Sequence, residues 1–159
     1  IGEWAFFDNS SAKKISLPDS VKSIGFGAFS TCYALEEIDL GEGVEIIDTS
    51  AFSDCIKLEK ITLPETITEI SEMCFYGSEN LKEIVLPQTL KTIKSNAFSN
   101  CNGLTSVYYE GTFEDWYGVS IGSGNSYLTN AKCYYYSETQ PTQEGNFWHW
   151  VDGEVEIWK

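Results

Sequence analysis

A 23-residue unit repeats along most of the chain, and this repeat restricts the fold more than any other feature. Residues 1–14 match the end of an earlier unit, and a looser, longer unit covers residues 107–133. Between them, four units follow one another without a gap: residues 15–37, 38–60, 61–83 and 84–106. A repeat of this length predicts a solenoid, in which each turn buries its apolar face against the neighbouring turns.

Each unit begins with an alternating pattern of Ile or Val and Leu, as at Ile15 and Leu17. Alternation with a period of two predicts a short β-strand at the start of every turn. A proline such as Pro18 follows in three of the four units and ends the strand, because it has no backbone N–H to donate. An aromatic column lies further along the unit: Phe29, Phe52, Phe75 and Phe98. Turns stacked about 4.8 Å apart would bring these side chains into ladders.

The pattern LxxIxLPxxLxxIgxxAFxxCxxL, taken from these units, resembles the BspA-type leucine-rich repeats of many bacterial surface proteins. It covers residues 1–106 closely and extends in degenerate form to about residue 133. The resemblance implies a mainly β solenoid, a right-handed leucine-rich repeat with a parallel β-sheet and few or no long helices. It also implies an extracellular or cell-surface location.

The last third of the chain is built differently, since residues 107–159 hold 13 of the 23 aromatic side chains. Asp152-Gly153 is a strong two-residue turn signal, and it predicts a C-terminal β-hairpin cap. The hairpin register places four apolar side chains on one face, which we expect over the last turn: Trp148, Trp150, Val155 and Ile157. His149 then lies opposite Glu156, where we expect a modest stabilising pair.

These signals predict one continuous domain. A leucine-rich repeat solenoid occupies residues 1–133, and it is regular to residue 106 and degenerate in residues 107–133. Residues 134–159 form a C-terminal aromatic capping segment. The chain begins at Ile1 without a signal peptide, so we expect a fragment of a longer or processed protein.

The net charge is −14, with 24 acidic and 10 basic side chains. A field of this sign repels phosphate groups and anionic lipid, so nucleic acid is not expected as a partner. No apolar run reaches the ~18 residues of a membrane span, and we expect no membrane insertion. We also expect the protein to be a monomer.

Residues Gly118–Gly122 read G-x-S-x-G, the nucleophile-elbow signature of serine hydrolases. Ser120 and Ile121 fall in the alanine and phenylalanine columns of the repeat, which explain the local sequence without catalysis. His149, the only histidine, lies in the predicted hairpin and has no positional reason to reach Ser120. We therefore expect no enzymatic activity and no catalytic residue.

No DxDxDG-like calcium loop occurs, and we interpret the acidic residues Asp39, Glu42, Glu45 and Asp48 as a solvated face. We expect no metal and no cofactor. Three of the five cysteines share one column of the repeat: Cys32, Cys55 and Cys101. The spacing of adjacent turns is compatible with a disulfide, but a buried free cysteine behaves as a small apolar residue, and we favour free thiols.

Two columns of side chains point away from the core and form what we name the open face of the main sheet. The first alternates in charge, which suggests a ladder of cross-strand ion pairs: Lys14, Glu37, Lys60, Glu83 and Ser106. The second becomes apolar toward the C-terminus: Ser16, Asp39, Thr62, Val85, Tyr108 and, beyond them, Tyr134.

Leucine-rich solenoids commonly bind ligands through this surface, so we take it as the candidate binding site. Its candidate residues are Lys14, Glu37, Asp39, Lys60, Thr62, Glu83, Val85, Tyr108 and Tyr134. The alternative is a sheet that is merely soluble and unoccupied.

The resemblance and the open face together favour a non-enzymatic, adhesion-type module of a bacterial cell-surface or secreted protein. Its expected ligand is a protein or a glycan on a host or neighbouring cell. One alternative is a passive structural spacer that presents another domain. The other is a carbohydrate-binding module that uses exposed aromatic side chains such as Tyr108, Tyr134 or Tyr136.

Overall fold

Each unit folds into one turn of a solenoid, as the repeat predicts. The computed structural model describes residues 1–159 and places a short strand at the start of each turn. These first strands are β1 (Lys14–Ser16), β3 (Glu37–Asp39), β5 (Lys60–Thr62), β7 (Glu83–Leu86), β9 (Ser106–Tyr109) and β11 (Lys132–Tyr136). Two-residue strands follow them: β2 (Ser23–Ile24), β4 (Ile46–Ile47), β6 (Glu69–Ile70), β8 (Thr92–Ile93) and β10 (Ser120–Ile121).

The first strands make up the main sheet and pair in parallel, in register with the repeat. Lys60 lies beside Glu83 and Ile61 beside Ile84, which is a shift of one unit. Strands β5, β7, β9 and β11 form one continuous ladder, while β1 pairs with β3 separately. The helices are two five-residue segments, α1 (Phe113–Tyr117) and α2 (Ser126–Asn130). The predicted mainly β solenoid with few helices is confirmed.

The aromatic column is the centre of the core. Its rings stack nearly parallel from Phe6 through Phe98, with successive centroids 5.0, 5.2, 5.6 and 5.3 Å apart. They belong to a single cluster of 33 buried residues that runs along the solenoid. Each buried phenylalanine stabilises the fold by about 1.5–3 kcal/mol, and none could be buried by its own turn alone.

The cysteine column has a structural role as a hydrogen-bond donor. The Sγ of Cys55 donates to the carbonyl oxygen of Phe29 at 3.2 Å, and the Oγ of Ser78 donates to that of Phe52 at 2.9 Å. The other two cysteines of the column make the same bond at 3.1 and 3.0 Å. All five cysteines are free, as favoured from the sequence. Burial raises the pKa of the Cys101 thiol to about 12, which keeps this donor protonated.

Asn125 closes the hydrogen bonding at the C-terminal end of the aromatic column. Its Oδ1 accepts the backbone N–H of Phe98 at 2.9 Å, and its Nδ2 donates to the carbonyl oxygens of Lys94 and Gly122 at 2.9 Å each. Leu128 from α2 is buried on the same end of the core. This end is therefore covered by α2 and the segment that precedes it.

The predicted hairpin is present, with strands β12 (Phe147–Val151) and β13 (Glu154–Ile157). Its register is as predicted, and His149 lies opposite Glu156. The two do not form an ion pair, because the His149 ring stacks on Trp158 with the centroids 3.7 Å apart. The stabilising pair expected at these two residues is thus replaced by a ring stack.

The hairpin lies beside the last turn, as expected, and β12 and β13 continue the main sheet beyond β11. It also reaches further than expected, because it folds across the open face as far as the earlier strands. Trp148 is fully buried in a cluster with Val85, Tyr108 and Tyr134, which is separate from the main core. The Nε1 of Trp148 donates to the carbonyl oxygen of Tyr109 at 3.0 Å. The hairpin reaches this position because the start of β12 pairs in parallel with the end of β11, where Tyr136 lies beside Trp148.

Replacing Asn125 by leucine is expected to lower the free energy of unfolding by about 3 kcal/mol. The substitution removes three hydrogen bonds and leaves the buried N–H of Phe98 without a partner, and an unsatisfied buried group costs about 1–3 kcal/mol. Chemical denaturation measures the effect, and Asn102→Leu, at an exposed position in the preceding turn, is the control. Equal stability of the two variants would contradict the role assigned to Asn125.

Replacing Trp148 by alanine is expected to weaken hairpin docking by about 3–5 kcal/mol, the usual cost of removing a large buried aromatic side chain. The repeat core should survive, because the hairpin cluster is separate from it. Hydrogen exchange should show loss of protection in β12 and β13 with protection retained in β8. The exposed Val151→Ala on the same hairpin is the control, and parallel loss in β8 would contradict the separation.

Candidate functional site

The hairpin divides the predicted open-face residues into a free group and a covered group. The free group has six members, of which Glu83 is half-buried. The other five are exposed: Lys14, Glu37, Asp39, Lys60 and Thr62. Val85, Tyr108 and Tyr134 are only 5%, 4% and 8% exposed beneath the hairpin. The expectation that these three present an exposed apolar surface is wrong, since the apolar face of the hairpin covers them.

The covered group also removes the aromatic surface expected for a carbohydrate. A sugar ring stacks on an exposed aromatic face, and neither Tyr108 nor Tyr134 offers one, because they stack on each other at 5.2 Å beneath the hairpin. Tyr136 is half-buried and packs edge-on against Trp148. The free part of the open face is therefore polar.

The expected ladder of ion pairs begins as predicted and is then interrupted. The Nζ of Lys14 lies 2.6 Å from the Glu37 carboxylate. This contact raises the pKa of Lys14 and lowers that of Glu37, through the hydrogen bond first and the opposite charge second. Lys60 does not continue the ladder, because its Nζ pairs with Glu154 of the hairpin at 3.0 Å. Glu83 is left without an ion pair.

A groove of about 390 Å³ lies where the free part of the open face meets the hairpin. Its floor comes from β3, β5, the turns that follow them and the adjoining part of β7 and β9, and its wall is the tip of the hairpin. The floor residues include Glu37, Asp39, Glu42, Lys60, Thr62 and Glu83, and the wall residues are Trp150, Gly153, Glu154 and Val155. Seven of the nine predicted residues thus line one groove, including the covered Val85 and Tyr108, while Lys14 and Tyr134 lie outside it.

The groove carries a negative charge that its own residues do not neutralise. Five carboxylates line it, from Glu37, Asp39, Glu42, Glu83 and Glu154, whereas Lys60 is the only basic residue in the lining. That lysine is engaged by Glu154. Carboxylates this close together make the local electrostatic potential more negative, and a negative potential attracts cations.

Glu110 lies behind the groove wall, and the sequence pattern does not single it out. Its Oε1 accepts the indole N–H of Trp150 at 3.0 Å. Burial raises the pKa of the Glu110 carboxyl to about 7, helped by a hydrogen bond with Glu65 and by the charges of Glu65 and Glu42. The Trp150 N–H acts in the opposite direction because it favours the charged form. The only signal in the sequence is that an acidic residue follows the first strand in several turns, as at Glu42, Glu65 and Glu110.

The remaining candidate chemistry has a structural explanation. Ser120 lies in β10, which pairs with β8, so the G-x-S-x-G segment is not the strand-to-helix turn that a nucleophile elbow needs. His149 is stacked on Trp158 in the hairpin. No three His, Cys, Asp or Glu side chains come together in an arrangement that could hold a metal ion. Neither of the two short helices has the length or apolarity to cross a membrane.

Comparison with known proteins identifies the repeat. The family model of the BspA type leucine rich repeat region matches residues 1–120 in six copies. No curated protein sequence matches the chain significantly.

Several solved structures are similar to this chain. A leucine rich cell surface protein from Faecalibacterium prausnitzii A2-165 is 37% identical, with a TM-score of 0.71 over 76% of this chain and 32% of that one. The leucine rich repeat protein TpLRR from T. pallidum is 28% identical, with a TM-score of 0.66 over 86% of this chain and 66% of that one.

The pneumococcal vaccine antigen PcpA shares the fold, with a TM-score of 0.64 and 22% identity over 86% of this chain and 33% of that one. The chain spans 66%, 32% and 33% of the lengths of the T. pallidum, F. prausnitzii and pneumococcal structures. Its repeat columns, its parallel main sheet and the six matched copies of the family model lead to one conclusion: the chain belongs to the BspA-type leucine-rich repeat family.

Proposed function

We propose that this chain is a non-enzymatic, adhesion-type binding module that holds a basic segment of a protein partner in the groove. The observation that carries the proposal is the groove itself, where the free part of the open face meets the hairpin tip. Its lining is acidic, which suits lysine or arginine side chains. The indole of Trp150 adds an aromatic wall on which an aliphatic stem or a guanidinium group can pack.

A partner of the opposite charge also fits the molecule as a whole. The net charge of −14 steers basic partners toward the surface and repels acidic ones, and the effect weakens with added salt. The groove then fixes where the partner binds. A glycan ligand has less support here, because the open-face tyrosines that would stack on it are buried.

We also propose that the module works at a bacterial cell surface or in a secreted protein. The similarity to a leucine rich cell surface protein of F. prausnitzii supports this location. A passive spacer is the alternative role, and it requires no ligand.

Charge reversal in the groove tests the proposal. The chain is screened by biolayer interferometry against matrix proteins and a glycan array, and any ligand found is measured against two variants. Glu83→Lys, in the groove floor, is expected to weaken binding of a basic partner roughly tenfold or more, about 1.4 kcal/mol. Glu72→Lys makes the same charge change at an exposed site outside the groove lining and should have little effect.

A third variant separates the effect of groove shape from that of charge. Thr62→Trp fills the groove without changing its charge, and it should also weaken binding, because Thr62 lies in the groove floor. Thermal unfolding of each variant confirms that the fold is retained. A ligand that binds all variants equally would exclude the groove, and the absence of any ligand would favour the spacer.

A further inference from the structure

The solenoid has a joint at which both of its parallel ladders are interrupted. The first strands do not pair between β3 and β5, and the two-residue strands do not pair between β4 and β6. On either side of the joint the ladders continue, as β1 pairs with β3 and β6 pairs with β8. The joint separates an N-terminal block, residues 1–48, from a C-terminal block, residues 59–159, and residues 49–58 connect the two.

Backbone groups that are paired in the neighbouring turns are free at the joint. The N–H of Leu17 donates to the carbonyl oxygen of Asp39 at 2.8 Å, and the N–H of Leu63 donates to that of Val85 at 3.1 Å. The N–H of Leu40 has the same position in the unit between them, and it has no backbone partner. Backbone pairing therefore does not hold β3 to β5.

The ion pairs follow the same division. Three of them lie within the N-terminal block: Lys13–Glu36, Lys14–Glu37 and Lys22–Glu45. Three others lie within the C-terminal block: Lys60–Glu154, Lys82–Glu59 and Lys94–Glu69. No ion pair crosses the joint. The strands on its two sides thus lack both of the polar interactions that connect the other turns.

Two glycines explain why the turns part at this position. Gly41 takes the place that proline has in the other three units, with a φ of +63°. A Cβ atom on Gly43 would overlap the carbonyl oxygen of Asp19 in the preceding turn, so only glycine permits this close approach. The N–H of Glu42 also donates to Oδ1 of Asp19 at 2.9 Å. The segment after β3 is therefore held against the preceding turn, on the side away from the joint.

The phenylalanine side of the turns remains closed across the joint. The N–H of Phe52 donates to the carbonyl oxygen of Cys74 at 2.8 Å, as in the other turns. The rings of Phe52 and Phe75 stay stacked, although their centroid distance of 5.6 Å is the largest in the column. Beside β4, the hydroxyl of Ser71 donates to the carbonyl oxygen of Ile47 at 2.6 Å. The blocks are thus connected on one side and parted at the strands.

The groove lies at this joint and takes its lining from both blocks. The N-terminal block supplies Asp39 and Glu42, and the C-terminal block supplies Lys60 and Thr62. The hairpin tip moves with the C-terminal block, because Glu154 pairs with Lys60. A rotation of one block against the other therefore changes the width of the groove.

We propose that the joint is a hinge about the phenylalanine side, and that the two blocks form a clamp at the groove. The clamp rests on the proposed function, whereas the hinge does not. Carboxylates of both blocks line the groove, so their repulsion favours the open form. A basic segment between them offsets this repulsion and shifts the population toward the closed form.

Hydrogen exchange on the free wild-type protein is the first measurement. The amides of Leu40 and Leu63 have the same position in adjacent units, and only that of Leu63 is hydrogen-bonded to the next turn. The protection factor of Leu40 should be lower than that of Leu63 by about tenfold or more, because the joint opens without global unfolding.

A disulfide across the joint distinguishes a hinge from a local loss of pairing. Ile46→Cys and Glu69→Cys lie one unit apart, both are exposed and neither lines the groove. The strand spacing of about 4.8 Å lies within the range that a disulfide tolerates. Oxidation should raise the protection of Leu40 several-fold, because a hinge moves both strand sides together, and reduction should reverse the change. Ser23→Cys with Ile46→Cys, across the paired β2 and β4, is the control and should leave Leu40 unchanged.

The clamp is tested with octalysine as the probe, by biolayer interferometry on the full chain. Octalysine should associate several-fold more slowly with the oxidised Ile46→Cys/Glu69→Cys protein than with the same protein after reduction, because the closed groove must open to admit it. The control pair should show the same association rate in both states. Saturating octalysine should also raise the protection of Leu40 in the wild type.

Each proposal has its own contrary result. Equal protection of Leu40 and Leu63, or a disulfide that leaves Leu40 unchanged, would overturn the hinge. If the cysteine variants fail to fold, the wild-type comparison of these two amides decides. Octalysine that binds at the same rate to the oxidised and the reduced protein would overturn the clamp but keep the groove as a binding site. Octalysine that does not bind the wild type would count against the proposed function and leave the exchange results on the hinge in force.

Discussion

The stacking of one turn on the next, at a fixed spacing, is the constraint on which the rest of this structure depends. The same backbone bond recurs at every turn, where the N–H of Phe29, Phe52 and Phe75 donates to the carbonyl oxygen of the residue 22 positions later, at 2.8 Å each time. The stacked rings bury the surface between these bonds. Ion pairs one unit apart, such as Lys14–Glu37, and the alignment of the open face follow from the same spacing. At Phe98 no further turn continues the series, and Asn125 accepts the N–H instead.

The parts of the fold that repeat could be predicted from the sequence, because every column is sampled several times. The hairpin register was also predictable, since Asp152-Gly153 determines it locally. The left-handed backbone positions were not, although they recur with the unit. Ser50, Met73 and Asn96 share a positive φ with Gly27, yet these four residue types have no common preference. Their conformation is imposed by the stacked turns, which override local propensity.

The sequence correctly predicted where the open face lies, but it did not predict that Val85, Tyr108 and Tyr134 are buried there. The apolar column at Val85 and Tyr108 indicates a surface that must be covered, and the sequence pattern does not say by what. The hairpin offers the complementary surface, with Trp148 and Trp150 on one face. The apolar column of the sheet and the apolar face of the hairpin could each be recognised in the sequence, as separate features. Their contact joins the repeating sheet to a hairpin that does not repeat, so the periodicity of the sequence does not predict it.

The docking of the hairpin also determines where the candidate site lies and what charge it carries. By covering β7 and β9 it leaves the strands before them open, and its tip becomes the wall of the groove. Glu154 at this tip draws Lys60 out of the charge ladder, so Glu83 has no ion pair. Trp150 at the same time buries one side of Glu110 beside Glu65. The negative groove and the shifted carboxyl therefore have one origin, which is the intramolecular contact between an aromatic hairpin and the apolar end of the open face.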